Sequence, residues 1–337
     1  MGTSFRSNAV HSQDTNNTCF SRKIPMLNRL TVSVLLVFIL QSNLQAQRKL
    51  GEATFRHIET IAADTFEGRR AGSTGGYAAA NYITKILADH DVKPAGDGSY
   101  FQLFTKVYPN CRNIFGIISG SDPELSKQLI AVGAHYDHVG FGKNRNSGPI
   151  HNGADDNASG TATVLELVRH FSKNKNRLKR SLLVCFWDSE EQGLIGSKHW
   201  MENPTVDVSR IVFKVNIDMV GRLDGDTLEL QGHRSVHGLK PIMNQLNEGI
   251  NIKLDYVWTM VANSDHWPFI NQKIPGFMFH TGLHKEYHKP EDDPETIDIK
   301  GLEKVGLLAR RFITHLGTAE STPRFREESL TEKMPRP

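Results

Sequence analysis

Apolar residues recur along this chain in two alternating rhythms. Compact apolar runs of strand length occupy 113–118, 129–134, 181–187, 211–217 and 274–280, with further strand-like stretches at 101–107 and 227–230. Between them, apolar positions follow the spacing of one helix face over 54–63, 76–90, 158–171, 194–201, 236–247 and 301–316. In the last of these the face is Leu302, Val305, Leu308, Ala309 and Phe312. The nearly unbroken run S-L-L-V-C-F-W at 181–187 reads as a strand covered on both sides. Glycines mark the loop F-E-G-R-R-A-G-S-T-G-G as a connection. The basic run K-N-K-N-R-L-K-R, after the helical stretch 158–171, reads as a solvated helix end and loop. Strands alternating with helices predict an α/β protein with a mostly parallel sheet.

Composition changes this picture at the ends. With 337 residues, 38% hydrophobic and 23% charged, the chain can build a large core. A net charge of +3 gives no footing for nucleic acid or an anionic membrane. Met26 to Arg29 precedes an apolar run, L-T-V-S-V-L-L-V-F-I-L, and then the uncharged Q-S-N-L-Q-A-Q. This is the layout of a secretory signal, better proportioned from Met26 and short for a membrane span. We therefore expect a leader over 1–47, a single catalytic domain over 48–318 and a loose tail over 319–337, with the mature protein secreted or periplasmic and free of the membrane. Three cysteines, of which Cys19 leaves with the leader and Cys185 sits in a core strand, make no disulfide framework.

The candidate chemistry is positional. His135 closes one predicted strand, Glu190 and Glu191 follow another, and Asp218 follows a third; Asp156 opens a helix. Open α/β sheets bind ligands beyond the carboxyl ends of their strands, so residues far apart in sequence converge there. With His288 these make two imidazoles and three carboxylates around a spare Glu190, a donor set suited to zinc without soft ligands. Five ligands exceed what one open catalytic zinc takes; with one carboxylate bridging they serve two ions, which in such centres stand about 3.5–4 Å apart. Glu190 and Glu191 are adjacent, so an extended backbone points them to opposite sides. One can ligate metal while the other carries a proton. An E-E pair or an H-x-D alone would more often be surface polarity; the ordered combination is what is specific.

The motifs G-A-H-Y-D-H-V-G, N-G-A-D-D-N-A-S-G, S-E-E-Q-G-L-I-G-S, N-I-D-M-V-G-R, S-D-H-W-P-F and T-G-L-H-K-E-Y-H-K-P-E-D-D resemble those of the secreted bacterial co-catalytic zinc aminopeptidases. That group shares its zinc-exopeptidase fold with plasma glutamate carboxypeptidase and glutaminyl cyclase. The resemblance reaches upstream to F-E-G-R-R-A-G and covers nearly all of the mature chain. It implies a three-layer αβα fold and two zinc ions per chain, bridged by Asp156, with His135 and Asp218 completing one site and Glu191 and His288 the other. It implies Glu190 as general base, Asp137 as the carboxylate orienting His135, Tyr287 as a hydrogen-bond donor to the oxyanion, and a cis peptide between Asp156 and Asn157. His284 competes with His288 as ligand, and the Y-H-K-P-E-D match favours His288. His138 and His266 read as hydrogen-bonded wall residues, and Asp265 and Asp292 equally as supports for the ligands or as ordinary turn or cap residues; Trp258, Met260 and Phe269 read as core rather than pocket lining. Asp155 has no assigned role. The implied activity is removal of residues from peptide N-termini. The same fold acting on C-termini, glutaminyl cyclisation with one zinc, and a non-enzymatic ectodomain are the rivals; the last is marked by lost ligands, and none is lost here.

Overall fold

A computed structural model describes residues 50–106, 108–142, 147–174 and 177–333. The leader lies outside the described residues, as do residues 143–146. Helical residues 50–61 form α1 and Thr74–Asp89 α2. There follow β1 (Lys93–Pro94), β2 (Phe101–Phe104), β3 (Cys111–Ile118), β4 (Leu129–His135), α3 (Gly160–Lys173), β5 (Ser181–Trp187), α4 (Ile195–Glu202) and β6 (Ile211–Ile217). The remainder is β7 (Thr227–Gln231), α5 (Leu239–Leu246), β8 (Lys253–Asp255), α6 (Trp267–Asn271), β9 (Gly276–His280) and α7 (Ile299–Thr318).

One mixed sheet runs in the order β1-β3-β5-β4-β6-β9-β7-β8, with β2 beside β3. Its centre, β5-β4-β6-β9, is parallel. The margins β1, β2, β3 and β7 join antiparallel, and β8 returns parallel to β7. The expected mostly parallel sheet is thus parallel at its heart and antiparallel at its flanks. Burial explains the division. Every residue of β4, β5 and β9 is buried, as strands covered on both faces require. Alternation sends Ile130, Val132, Leu182 and Val184 into a core with α2, α3, α5 and α7. It sends Leu129, Ala131, Leu183, Cys185 and Trp187 to the other face, against Trp200 of α4 and Phe269 of α6. Three layers result, αβα, and the described residues belong to one compact unit, Gln45–Pro337. Among the described residues no helix is long and apolar enough to cross a membrane.

Three expectations change. Arg180, at the end of the basic run, is 1% exposed. Its guanidinium donates to the carbonyls of Leu316 and Ala319, which α7 leaves unpaired at its end, and to Gln128. Residues 319–333, expected as a loose tail, are tied down by a Val236–Phe325 bridge and by Glu332 accepting from Arg234 and Arg326. Finally, α5 starts at Leu239 rather than 236, because Gly238 has φ 70° and 233–235 form a separate tight turn. Cys111 and Cys185 are free and buried, as a core filler should be.

Candidate metal centre and active site

The carboxyl edge of the parallel strands gathers the site. His135 is the last residue of β4, the pair Glu190–Glu191 follows β5 by three residues, and Asp218 follows β6 directly. Asp156 comes from the turn Ala154–Ser159, which precedes α3 and carries the expected cis peptide at Asp156–Asn157. Tyr287 and His288 come from the loop after β9.

These side chains meet in two groups. His138, Asp156, Glu191 and His288 place ligand atoms within 4.8 Å of one another, and so do His135, Glu190 and Asp218. Asp156 joins them: its Oδ1 lies 3.4 Å from His135 Nε2 and its Oδ2 3.0 Å from His288 Nε2. Asp218 Oδ1 is 3.3 Å from His135 Nε2, and Glu191 Oε2 is 3.0 Å from His288 Nε2. All five sequence-expected ligands are therefore together. His138, read as a hydrogen-bonded wall residue, stands inside the first group, with Nδ1 2.8 Å from Glu191 Oε1. His284 does not compete: its Nε2 faces Asp155 at 3.4 Å.

Burying so many carboxylates at one point is costly unless cations accompany them. The ionisation of the group records that cost. Burial opposes charge on His288, yet Asp156 and Glu191 raise its imidazole to about 10. Burial likewise opposes charge on His135, and Asp218 and Glu190 overcome it, raising that group well above the usual range. Glu191 resists desolvation because His138 and His288 hold it far below the usual carboxylate range. Glu190 differs: burial pushes it well up, and Asp265 and Asp218 add to the push against only His135. Imidazole nitrogens and carboxylate oxygens converging in a buried site are the donors a borderline divalent cation takes, so the residues fit a metal pair.

Supporting contacts fix the groups. Asp137 accepts from the backbone N–H of Glu190 at 3.0 Å and of Glu191 at 3.4 Å. Its carboxylate is 3.8 Å from His135 Nδ1, whose nearer partner is the Asp137 carbonyl at 3.1 Å. Asp137 thus sets the Glu pair more directly than the imidazole it was expected to orient. Asp292 accepts from the N–H groups of Asp155 and Asp156, each at 3.1 Å. Asp155, without a role in the sequence, accepts from Gly221 N at 2.7 Å and Ser159 Oγ at 2.9 Å, pinning the turn to the segment after β6. Ser264 donates to Asp218.

Sequence reasoning missed Arg69. It is fully buried and donates to the carbonyls of Tyr136 at 2.9 Å and Gly153 at 2.8 Å, with Ile61, Asn152 and Asp156 also accepting. The loop that presents it turns through Gly68 at φ 61°, where a Cβ would stand 2.3 Å from the His151 carbonyl. The F-E-G-R-R match was the available signal. His266, expected as a hydrogen-bonded wall residue, is wholly buried with neither ring nitrogen partnered, and burial drives its imidazole down to about 3. Phe269 is core, as read, and Trp258 lies under the Arg234 guanidinium.

A cleft of about 490 Å³ opens over both groups, walled by Met219, Glu229, Gln231, Met278, Leu283 and Tyr287. Tyr287 stacks on the His288 ring, centroids 3.9 Å apart. Burial first, then Asp156 and Glu191, pushes its phenol far up and keeps it a hydrogen-bond donor.

Imidazoles and carboxylates at the carboxyl rim of a mixed sheet, under an open cleft, are the equipment of a metal-dependent hydrolase. Residues 113–313 match the model of peptidase family M28, and the chain belongs to that family. Aminopeptidase YwaD of Bacillus subtilis is 28% identical over 237 residues, covering 66% of this chain and 48% of that protein. Among solved structures, LapA aminopeptidase of Legionella pneumophila superposes with a TM-score of 0.66 at 18% identity, over 83% of this chain and 75% of that one. Glutaminyl cyclase of Porphyromonas gingivalis gives 0.63 at 20% identity, over 78% and 97%. These structural likenesses establish the fold. The chain spans 47%, 19% and 48% of the first curated relatives it matches, half their length or less.

Proposed function

We propose that this chain is a zinc-dependent aminopeptidase, with 48–318 as its catalytic domain, that hydrolyses the bond after the N-terminal residue of a peptide. The observation that carries the reading is Asp156, whose two carboxylate oxygens face two separate ligand groups. His135, Asp218 and Asp156 would hold one zinc, and Asp156, Glu191 and His288 a second. Zinc there supplies Lewis-acid polarisation of the scissile carbonyl and acidifies water.

The chain's own residues do the rest. Glu190 lies beside His135 and Asp218 and is the one carboxylate of the pair that burial first, then Asp265 and Asp218, raise above the usual carboxylate range. It takes a proton from the attacking water and gives it to the departing amine. Tyr287 offers its O–H to the carbonyl oxygen as charge develops there. Asp137 holds the backbone N–H groups of both glutamates and so fixes the segment that presents base and ligand to the one cleft. The leader read at 1–47 would deliver the enzyme to the periplasm or outside the cell.

Replacing Glu190 by Ala should leave zinc content at two per chain and lower turnover by about 10²–10⁴-fold. An active variant removes the assignment, and one zinc in the wild type removes the two-metal reading. Glutaminyl cyclisation is separated by offering glutaminyl peptides and measuring release of ammonia. Action on C-termini is separated by blocking either end of the same peptide.

A further inference from the structure

The cleft beside the metal ligands has a charged side wall that catalysis does not use. β7 pairs antiparallel with β9, placing Glu229 opposite His280 and Gln231 opposite Met278. Leu228 and Leu230 point into the core, so Glu229 and Gln231 are the residues of β7 that face the cleft. Asp218 donates its N–H to the Phe279 carbonyl of β9, so Glu229 stands two strand spacings away along the sheet, about 10 Å.

The Glu229 carboxylate is held in place but not neutralised. Asn263 Nδ2 donates to Gln231 Oε1 at 2.8 Å, and Gln231 Nε2 donates to Glu229 Oε2 at 2.7 Å. Among the described residues nothing donates to Oε1, and no Lys or Arg pairs with this carboxylate. His280 Nδ1 stands 3.7 Å away and already accepts from Gly282 N. The cleft that Glu229 shares with the ligands also carries the apolar side chains Met219, Met278 and Leu283 among its polar lining. A cleft that offers apolar surface from Met219, Met278 and Leu283 and an oriented carboxylate without a Lys or Arg partner suits an aliphatic stem with a cation at its tip.

Building on the aminopeptidase reading, we infer that Glu229 selects peptides whose N-terminal residue is lysine or arginine. Gln231 and Asn263 are positioning residues, holding the carboxylate toward the cleft.

The test compares lysyl-, arginyl-, leucyl- and methionyl-p-nitroanilides with wild type and Glu229→Gln. The wild type should favour the basic pair, and Glu229→Gln should lower kcat/KM for that pair by about tenfold or more while leaving the apolar pair nearly unchanged. A wild type that favours leucyl over lysyl substrate overturns the inference. So does an equal loss on all four substrates, which would assign Glu229 to the α-amino group or to structure. Absence of hydrolysis of any anilide is the separate failure of the aminopeptidase reading, and takes this inference with it. Product inhibition of the wild type decides the question should the variant not fold. Lysine should inhibit more strongly than norleucine, which has the stem without the ammonium, and equal inhibition overturns the inference.

Discussion

A buried guanidinium with no carboxylate against it is an expensive residue, and Arg69 shows what it is kept for. Desolvation lowers it to about 10 although Asp156, Asp292 and Asp137 pull the other way. Its donors instead reach carbonyls on three separate segments: Ile61 at the end of α1, Tyr136 just past β4, and Asn152, Gly153 and Asp156 around the ligand turn. Those carbonyls have no route to water, so truncation leaves several unsatisfied at once. Arg69→Ala should destabilise the protein markedly, by about 1–3 kcal/mol for each buried carbonyl left without a donor. Denaturant unfolding of the metal-free protein measures this without interference from metal binding. Arg69→Lys keeps the charge but loses the fork, and should recover only part of the loss. Beyond the F-E-G-R-R match, nothing in the sequence announced this. An arginine in a glycine-rich loop carries no periodicity, and its partners lie up to 87 positions away. His138 is hydrogen-bonded and buried as read, but H-x-x-H spacing does not reveal that its ring turns toward Glu191. Four of the five proposed ligands were legible because each stands beside an apolar run, where the strand or helix itself announces the position; His288 lies in a loop, and only its motif marked it.

At the scale of elements, what could be read was whatever buries a continuous apolar surface. β5 and β6 were expected at the bounds they take, since S-L-L-V-C-F-W and I-V-F-K-V-N-I are strand-length runs between polar breaks. β1, β8 and α6 escaped. β1 and β8 have two and three residues, with exposed or half-exposed faces, so no alternation can mark them. They are strands only because β3 and β7 offer edges. α6 has five residues and opens with proline in its first turn. The basic run before β5 shows the same limit from another side. Composition placed it in solvent, whereas α7 needs a donor for its last carbonyls and Arg180 answers from across the sequence. Arg180→Ala should therefore cost about 1–3 kcal/mol in urea unfolding. Lys179, one position earlier, is exposed and bonds to Gly317 through its backbone N–H, which alanine keeps. Lys179→Ala should accordingly fall within about 0.5 kcal/mol of wild type in the same measurement.

For the molecule as a whole, the site is a reservoir of opposed charge that the fold holds together, and pH tells whether cations share in holding it. In the metal-free protein His288 is raised to about 10 and His135 well above its ordinary range, while Glu190 and Asp137 are raised by burial. All four therefore keep protons in the folded state that the unfolded chain releases. For the imidazoles this stabilisation is complete below the unfolded value near 6.5 and is lost as pH rises through the folded value. The raised carboxyls act in the same direction. The metal-free melting temperature should accordingly fall as pH is raised from about 6.5 to 9. Metal reverses the slope, because each ligand must shed its proton to bind and a cation present at a hundred times its dissociation constant adds about 2.7 kcal/mol. The gap in melting temperature between zinc-loaded and chelated protein should thus be small near pH 6.5 and widen toward about pH 8.5. Asp156→Asn, which takes the shared carboxylate from both groups, should collapse that gap at every pH. A gap that narrows with rising pH in the wild type would mean that the ionisable cluster is not where the cations bind.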